Sequence, residues 1–97
     1  MATTEIVLIT GANTGLGLET VKSLVQSTED YTILLGGRDL AKAEAATEQI
    51  QKEFPNSVSS VQAVQVDVED DHSILKLFDQ VAAQYGRIDV LINNAGA

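Results

Sequence analysis

The fold is decided by one stretch, Ile6–Gly17, which reads IVLITGANTGLG. Its apolar run Ile6–Ile9 is typical of a strand buried on both faces of a parallel sheet. The glycines that follow allow a sharp turn and the close approach of a ligand. A helix predicted to begin near Leu16 would present unpaired N–H groups and the positive end of its dipole to that turn. The stretch is therefore suited to bind phosphate, and a nucleotide pyrophosphate is the expected ligand.

The same alternation of apolar strand, polar turn and amphipathic helix continues along the chain. The further strands are predicted at Thr32–Leu35, Val61–Val66 and Ile88–Ile92. Gly36-Gly37 is predicted to form a turn after the second strand. The order β-α-β-α-β-α-β implies a parallel sheet with right-handed crossovers. With the first strand at the centre, we predict an α/β fold over residues 1–97: an incomplete Rossmann-type doubly wound parallel sheet with strand order 3-2-1-4.

The helices between these strands are predicted from apolar stripes and capping residues. Asp39 is expected to cap the second helix, and Asp70 or Asp71 the third, with Gly86 as the glycine that ends it. The apolar stripe of the second helix comprises Leu40, Ala43, Ala46, Ile50 and Phe54, and that of the third Ile74, Leu77, Phe78, Val81 and Tyr85.

Composition narrows the classes of function. A net charge of −8 with six scattered basic residues argues against a nucleic-acid partner, which would need a basic surface. The chain has no cysteine, and its one histidine, His72, is expected at the surface, so no metal site is predicted. It has no apolar run long enough to span a bilayer and no secretory signal at its N-terminus. We therefore expect a cytoplasmic protein that does not bind membranes.

Three glycines of the opening stretch, Gly11, Gly15 and Gly17, follow the spacing Gly-x-x-x-Gly-x-Gly. This spacing differs from the commoner Gly-x-Gly-x-x-Gly dinucleotide fingerprint, and no Gly-Lys-Ser/Thr sequence follows as in a P-loop. A tight structural turn is the alternative to a nucleotide site. Together with Asn93-Asn94-Ala95-Gly96, however, the pattern closely resembles the short-chain dehydrogenase/reductase family. The resemblance is strongest to its carbonyl reductases, and it covers essentially the whole chain.

This resemblance implies roles for residues at the carboxyl ends of all four strands. The three glycines would form the pyrophosphate turn, with further contacts from Asn13, Thr14 and Leu16. The adenine would lie against Asp67 and Val68. The ribose on the nicotinamide side would be flanked by Asn94, Ala95 and Gly96, while Asn93 would help to hold the central strands together. Asp67 could alternatively cap a helix or be solvated, and the Asn-Asn-Ala-Gly run could be an ordinary turn.

The choice of cofactor depends on the end of the second strand. Asp39 lies where a spacing rule would place an acid that accepts hydrogen bonds from the ribose 2′-OH of NAD. In the family pattern, however, the selecting residue is the last one of the strand, here Gly37, and Arg38 follows it. Because a guanidinium can pair with a 2′-phosphate, we expect NADP(H) rather than NAD(H). Thr14 stands where many NADP-binding relatives have a second basic residue, and a merely solvated Arg38 would leave the preference open.

The family's catalytic residues are not found in these 97 residues. The resemblance implies a serine, a Tyr-x-x-x-Lys pair and a helix asparagine, all after the Asn-Asn-Ala-Gly motif. Tyr31 and Tyr85 are not followed by lysine four positions later. Two hypotheses remain: the cofactor-binding N-terminal part of an oxidoreductase acting on a carbonyl or an alcohol, with this chain alone inactive, or a non-catalytic nucleotide-binding or interaction module. An exposed apolar edge is expected at Val90–Ile92.

Overall fold

The computed structural model describes residues 5–11, 15–67 and 69–93, apart from the side chains of Leu16 and Asn93. These residues form four strands and three helices in strict alternation. In chain order they are β1 (Glu5–Thr10), α1 (Gly15–Gln26), β2 (Tyr31–Gly37), α2 (Leu40–Glu53), β3 (Ser60–Gln65), α3 (Asp71–Tyr85) and β4 (Val90–Asn93). The alternation predicted from the apolar runs is confirmed.

The four strands form one parallel sheet in the order β3-β2-β1-β4. β1 lies between β2 and β4, so its apolar residues are covered on both faces and by a neighbouring strand on each side. Ile9, for example, is fully buried. The predicted α/β fold and strand order 3-2-1-4 are therefore confirmed, and all four strands end at the same edge of the sheet.

Successive side chains of the strands point into two separate cores. Ile9 and Ile33 contribute to one core, against Val21 of α1 and Ile50 of α2. The other core contains Leu8 and Leu34, against Leu77 and Val81 of α3. Helices α1 and α2 thus cover one face of the sheet and α3 the other. The two cores are separate because successive side chains of a strand point to opposite faces of the sheet.

The helix ends follow the capping residues in the sequence. The Asp39 side chain accepts hydrogen bonds from the backbone N–H groups of Ala41 and Lys42, at the start of α2. Of the two candidates for α3, Asp70 is the cap, accepting from the N–H of His72. Gly86 ends α3 with a φ of 80°, a left-handed conformation that glycine adopts without strain.

Two local predictions were wrong. Gly36 and Gly37 were expected to form a turn, but both belong to β2 and pair with Val64 and Gln65 of β3. The strand extends further because the backbone pairing of both glycines with β3 outweighs the weak strand propensity of glycine. The apolar stripes predicted for α2 and α3 also included exposed residues, since Leu40 is 39% exposed and Phe78 is 37% exposed.

Apolar side chains are exposed along β4 and on the outer side of α3. Leu91 is 52% exposed and Leu75 is 60% exposed. Within the described residues β4 is an edge strand, paired with β1 alone, as the sequence predicted. None of the helices in the described ranges is long and apolar enough to cross a membrane.

Candidate functional site

The carboxyl ends of the strands place the predicted site residues along one edge. Thr10, the last residue of β1, is opposite Asn93 of β4. On the other side, Gly37 at the end of β2 is opposite Gln65 of β3. The glycine turn therefore lies between the ends of β2 and β4. In open α/β sheets, ligands bind where the strand order reverses, and here that point is between β1 and β4.

Two glycines of the predicted turn have a backbone conformation that favours glycine. Gly11 follows β1 with a φ of 61°, and Gly15 begins α1 with a φ of 61°. Both values lie in the left-handed region, which glycine tolerates best. A Cβ at Gly15 would have no other atom within 4 Å, so it is the backbone conformation, not lack of space, that calls for glycine there. Asn13 and Thr14 lie outside the described residues.

The start of α1 is suited to hold an anion. Its first turn contains no acidic residue, so no carboxylate offsets the positive end of the helix dipole there. Gly17 lies in this turn and is buried. The two glycines with left-handed φ values, the N-terminus of α1 and the lack of an acidic residue in its first turn together suit the pyrophosphate of a dinucleotide.

Gly36 of β2 has no room for a side chain just before the site. A Cβ at Gly36 would lie 3.0 Å from the carbonyl oxygen of Ile9 and 3.0 Å from Cγ1 of Val66. A larger residue at this position would therefore have to displace the end of β1 or the Val66 side chain.

Arg38 places a cationic side chain at this edge. Its side chain is 73% exposed, with Nε 3.9 Å from Oδ1 of Asp67 and one terminal nitrogen 4.0 Å from Oε2 of Glu69. Its backbone carbonyl accepts a hydrogen bond of 3.4 Å from the side-chain amide of Gln65. The guanidinium is thus exposed enough to meet a ligand, while its backbone is held to the end of β3.

Asp39, the alternative candidate for selecting between NAD and NADP, has its side chain bound to the start of α2. Its Oδ1 accepts hydrogen bonds from the N–H groups of Ala41 at 3.0 Å and Lys42 at 3.3 Å. It therefore serves as the N-cap of α2. This geometry agrees with setting Asp39 aside as a ribose ligand in favour of the Gly37-Arg38 position.

Asp67 organises the loop between β3 and α3. Its N–H donates to Oγ of Ser73 at 2.9 Å, and its carbonyl accepts from the N–H of Asp70 at 3.0 Å. Its Oδ1 accepts from the N–H of Glu69 at 3.0 Å. The alternative role of Asp67 as a helix cap is not observed, because Asp70 caps α3.

Sequence reasoning missed Ser73 and Glu69. Oγ of Ser73, in α3, accepts the N–H of Asp67 six residues earlier, and Glu69 pairs with Arg38 between the segments that follow β3 and β2. The sequence signal for Glu69 was its position two residues after Asp67. An aspartate side chain commonly hydrogen-bonds to the backbone two residues later.

A groove of about 950 Å³ extends between β3 and α3, with Arg38 and Asp67 among its lining residues. Its other end is marked by Gln62 and Tyr85, whose hydroxyl donates to Oε1 of Gln62 at 2.6 Å. The Arg38 end of this groove lies at the carboxyl ends of β2 and β3.

The remaining predicted site residues lie outside the described residues: Val68, Asn94, Ala95 and Gly96. The side chains of Leu16 and Asn93 are also outside, although the backbone of Leu16 lies in the first turn of α1. His72 is exposed at the start of α3. Across the described ranges, no group of three or more histidine and acidic side chains could hold a metal ion.

Comparison with known proteins gives a consistent result. A family model described as short chain dehydrogenase matches residues 5–97. A short-chain dehydrogenase/reductase of a Phoma species, eupG, is 45% identical over 93 residues. Carbonyl reductase (NADPH) 1 of Macaca fascicularis is 38% identical over 92 residues. The solved structure of menthone neomenthol reductase from Mentha piperita is 35% identical and superposes with a TM-score of 0.88.

These similarities cover nearly all of this chain but only part of each relative. The matches include 95% of the chain for each of the two sequences and 99% for the structure. They correspond to 34%, 31% and 33% of the respective relatives. The chain therefore spans about a third of the length of the proteins it matches.

Proposed function

The chain belongs to the short-chain dehydrogenase family, and from that membership we propose that it is the cofactor-binding part of an NADP(H)-dependent oxidoreductase. Its reaction would be hydride transfer that reduces a carbonyl group or oxidises an alcohol. The bound nicotinamide supplies the hydride chemistry, and these residues bind and orient the cofactor. The substrate would be a small carbonyl compound or alcohol.

Arg38 is the observation on which the choice of NADP(H) depends. It follows the last residue of β2, and its side chain is 73% exposed. A guanidinium at this place would donate charge-assisted hydrogen bonds to a 2′-phosphate. The NADPH in the name of the carbonyl reductase from Macaca fascicularis further supports this choice.

The other residues of the site would each contact a different part of the cofactor. Gly11, Gly15 and Gly17 would form the pyrophosphate turn, together with the backbone of Leu16 and the side chains of residues 13 and 14. Asp67 and Val68 would contact the adenine at the Arg38 end of the groove. Residues 94–96 would flank the ribose next to the nicotinamide. We name no catalytic residue, since neither Tyr31 nor Tyr85 has a lysine four positions later.

Binding of NADPH and NADH to the purified protein, followed by nicotinamide fluorescence, tests the proposal. Arg38→Ala is expected to weaken NADPH binding about tenfold or more, because a hydrogen bond to a charged group contributes about 1.5–3 kcal/mol. NADH binding should change little, because NADH has no 2′-phosphate.

Arg87→Ala is the matched control, since Arg87 precedes β4 and lies at the opposite edge of the sheet. It should leave the ratio of the two affinities unchanged. Equal affinities for NADPH and NADH that Arg38→Ala does not alter would contradict the assignment of NADP(H).

A further inference from the structure

The guanidinium of Arg38 lies between two carboxylates that contact different nitrogens. Asp67 approaches Nε at 3.9 Å, and Glu69 approaches a terminal nitrogen at 4.0 Å. The Glu69 side chain is 82% exposed, against 37% for Asp67. Glu69 is therefore the partner that can move away freely, whereas Asp67 is tied into its loop.

The loop itself places Glu69 next to Arg38. Oδ1 of Asp67 accepts the N–H of Glu69 at 3.0 Å, and the backbone of Asp67 is held by Ser73. On the other side, the carbonyl of Gly37 accepts the N–H of Val66 at 2.9 Å, which fixes the start of the Arg38 segment. Both backbones are therefore anchored, which keeps the Arg38 and Glu69 side chains within reach of each other.

The charges of this group oppose the binding of a second anion. One guanidinium between two carboxylates gives a local formal charge of −1 by simple addition of +1, −1 and −1. A 2′-phosphate would compete with Glu69 for the terminal nitrogen of Arg38, and it would be repelled by the carboxylate it displaced. A ribose 2′-OH carries no charge and would meet neither effect.

We propose that Glu69 is a specificity-determining residue that weakens binding of the 2′-phosphate by competing for Arg38, and so limits the preference for NADP(H) over NAD(H). This proposal rests on the proposed function, because it requires the 2′-phosphate to bind at Arg38. Glu69 would thus set how strongly the site discriminates, while Arg38 sets the direction of the preference.

Glu69→Gln tests this role in the purified protein, with NADPH and NADH as the probes. NADPH affinity is expected to rise about two- to fivefold, the range set by an exposed ion pair, and NADH affinity should change by less than about twofold. The gain should shrink at high salt, where exposed charges are screened. It should also be smaller in the Arg38→Ala background, because competition for the guanidinium is then lost.

Glu48→Gln is the matched control: it removes the same charge from an exposed position about 12 Å along α2 from its first residue. It should leave both affinities unchanged. If Arg38→Ala weakens NADPH binding but Glu69→Gln does not alter the ratio of affinities, the role of Glu69 is wrong and the proposed function stands. If Arg38→Ala also has no effect, both are overturned.

Discussion

The carboxylate of Asp89 accepts a hydrogen bond of 2.7 Å from the backbone N–H of Ile6, a residue 83 positions earlier in the chain. The N–H of Asp89 in turn donates to the carbonyl of Ile6 at 2.9 Å. Arg87 holds the same carboxylate through its Nε, at 2.9 Å from each oxygen. These bonds join β4 to β1 before the first paired residues, Val7 and Val90, at the edge opposite the candidate site.

Asp89→Asn is expected to lower the melting temperature in a way that depends on pH. The hydrogen bond from Ile6, followed by that from Arg87, holds the pKa of Asp89 below its ordinary value of 3.8. A carboxyl whose pKa is lowered by folding stabilises the protein fully above that ordinary value. This contribution is lost as the pH falls further, through the lower pKa of the folded state.

Thermal melts from pH 7 down to pH 2 would measure this effect. The wild-type protein should melt above Asp89→Asn at neutral pH, and the two melting temperatures should converge below about pH 4. The other acidic groups titrate in both proteins, so they cancel in the difference. A constant difference across the whole range would show that the charge of Asp89 does not contribute.

Gly36→Ala is expected to destabilise the protein by about 1–3 kcal/mol, the usual effect of overpacking a close-packed core. The new Cβ would lie 3.0 Å from a backbone oxygen of β1, the central strand, which is paired on both sides and cannot easily move. Urea denaturation of the two proteins would measure the difference in the free energy of unfolding.

Gly86→Ala provides a comparison with a different cause. Gly86 has a φ of 80° and nothing within 4 Å of a built Cβ, so alanine would be strained by its backbone alone. Asparagine, which tolerates the left-handed region better, should restore part of that loss at position 86. It should give no rescue at position 36. A Gly36→Ala protein as stable as the wild type would contradict the close approach of β1 and β2.

Local patterns predicted the parts of this fold that depend on local physics. Ile6–Ile9 indicated a central strand because a strand covered on both faces buries each of its successive side chains. Gly86 indicated the end of α3 because few other residues adopt its conformation. The extension of β2 through Gly36 was not predictable, because it depends on pairing with β3, a segment more than twenty residues later.

The candidate site could likewise be predicted only in part from the sequence. The glycine turn and Arg38 could be identified from spacing and from the resemblance to a family, since each comes immediately after a strand in the chain. The ion pair of Glu69 with Arg38 could not, because it joins two loops through the register of β2 and β3. Glu69 and Asp39 both lie near Arg38 in space or in sequence, and only the structure shows that Glu69 pairs with the guanidinium while Asp39 caps α2.

Asp39 offers a direct test of that distinction. As the N-cap of α2, its carboxylate accepts two backbone N–H groups, so Asp39→Ala is expected to lower the free energy of unfolding by about 1 kcal/mol. Asp39→Asn should be close to neutral, since asparagine is an equally good cap. Neither variant is expected to change the ratio of NADPH to NADH affinity by more than about twofold, because the carboxylate is occupied by the helix start rather than by a ribose. Denaturant unfolding and fluorescence titration of the same three proteins would separate the two roles: an Asp39→Asn protein that keeps its stability but loses affinity for NADH would identify Asp39 as a ribose ligand after all.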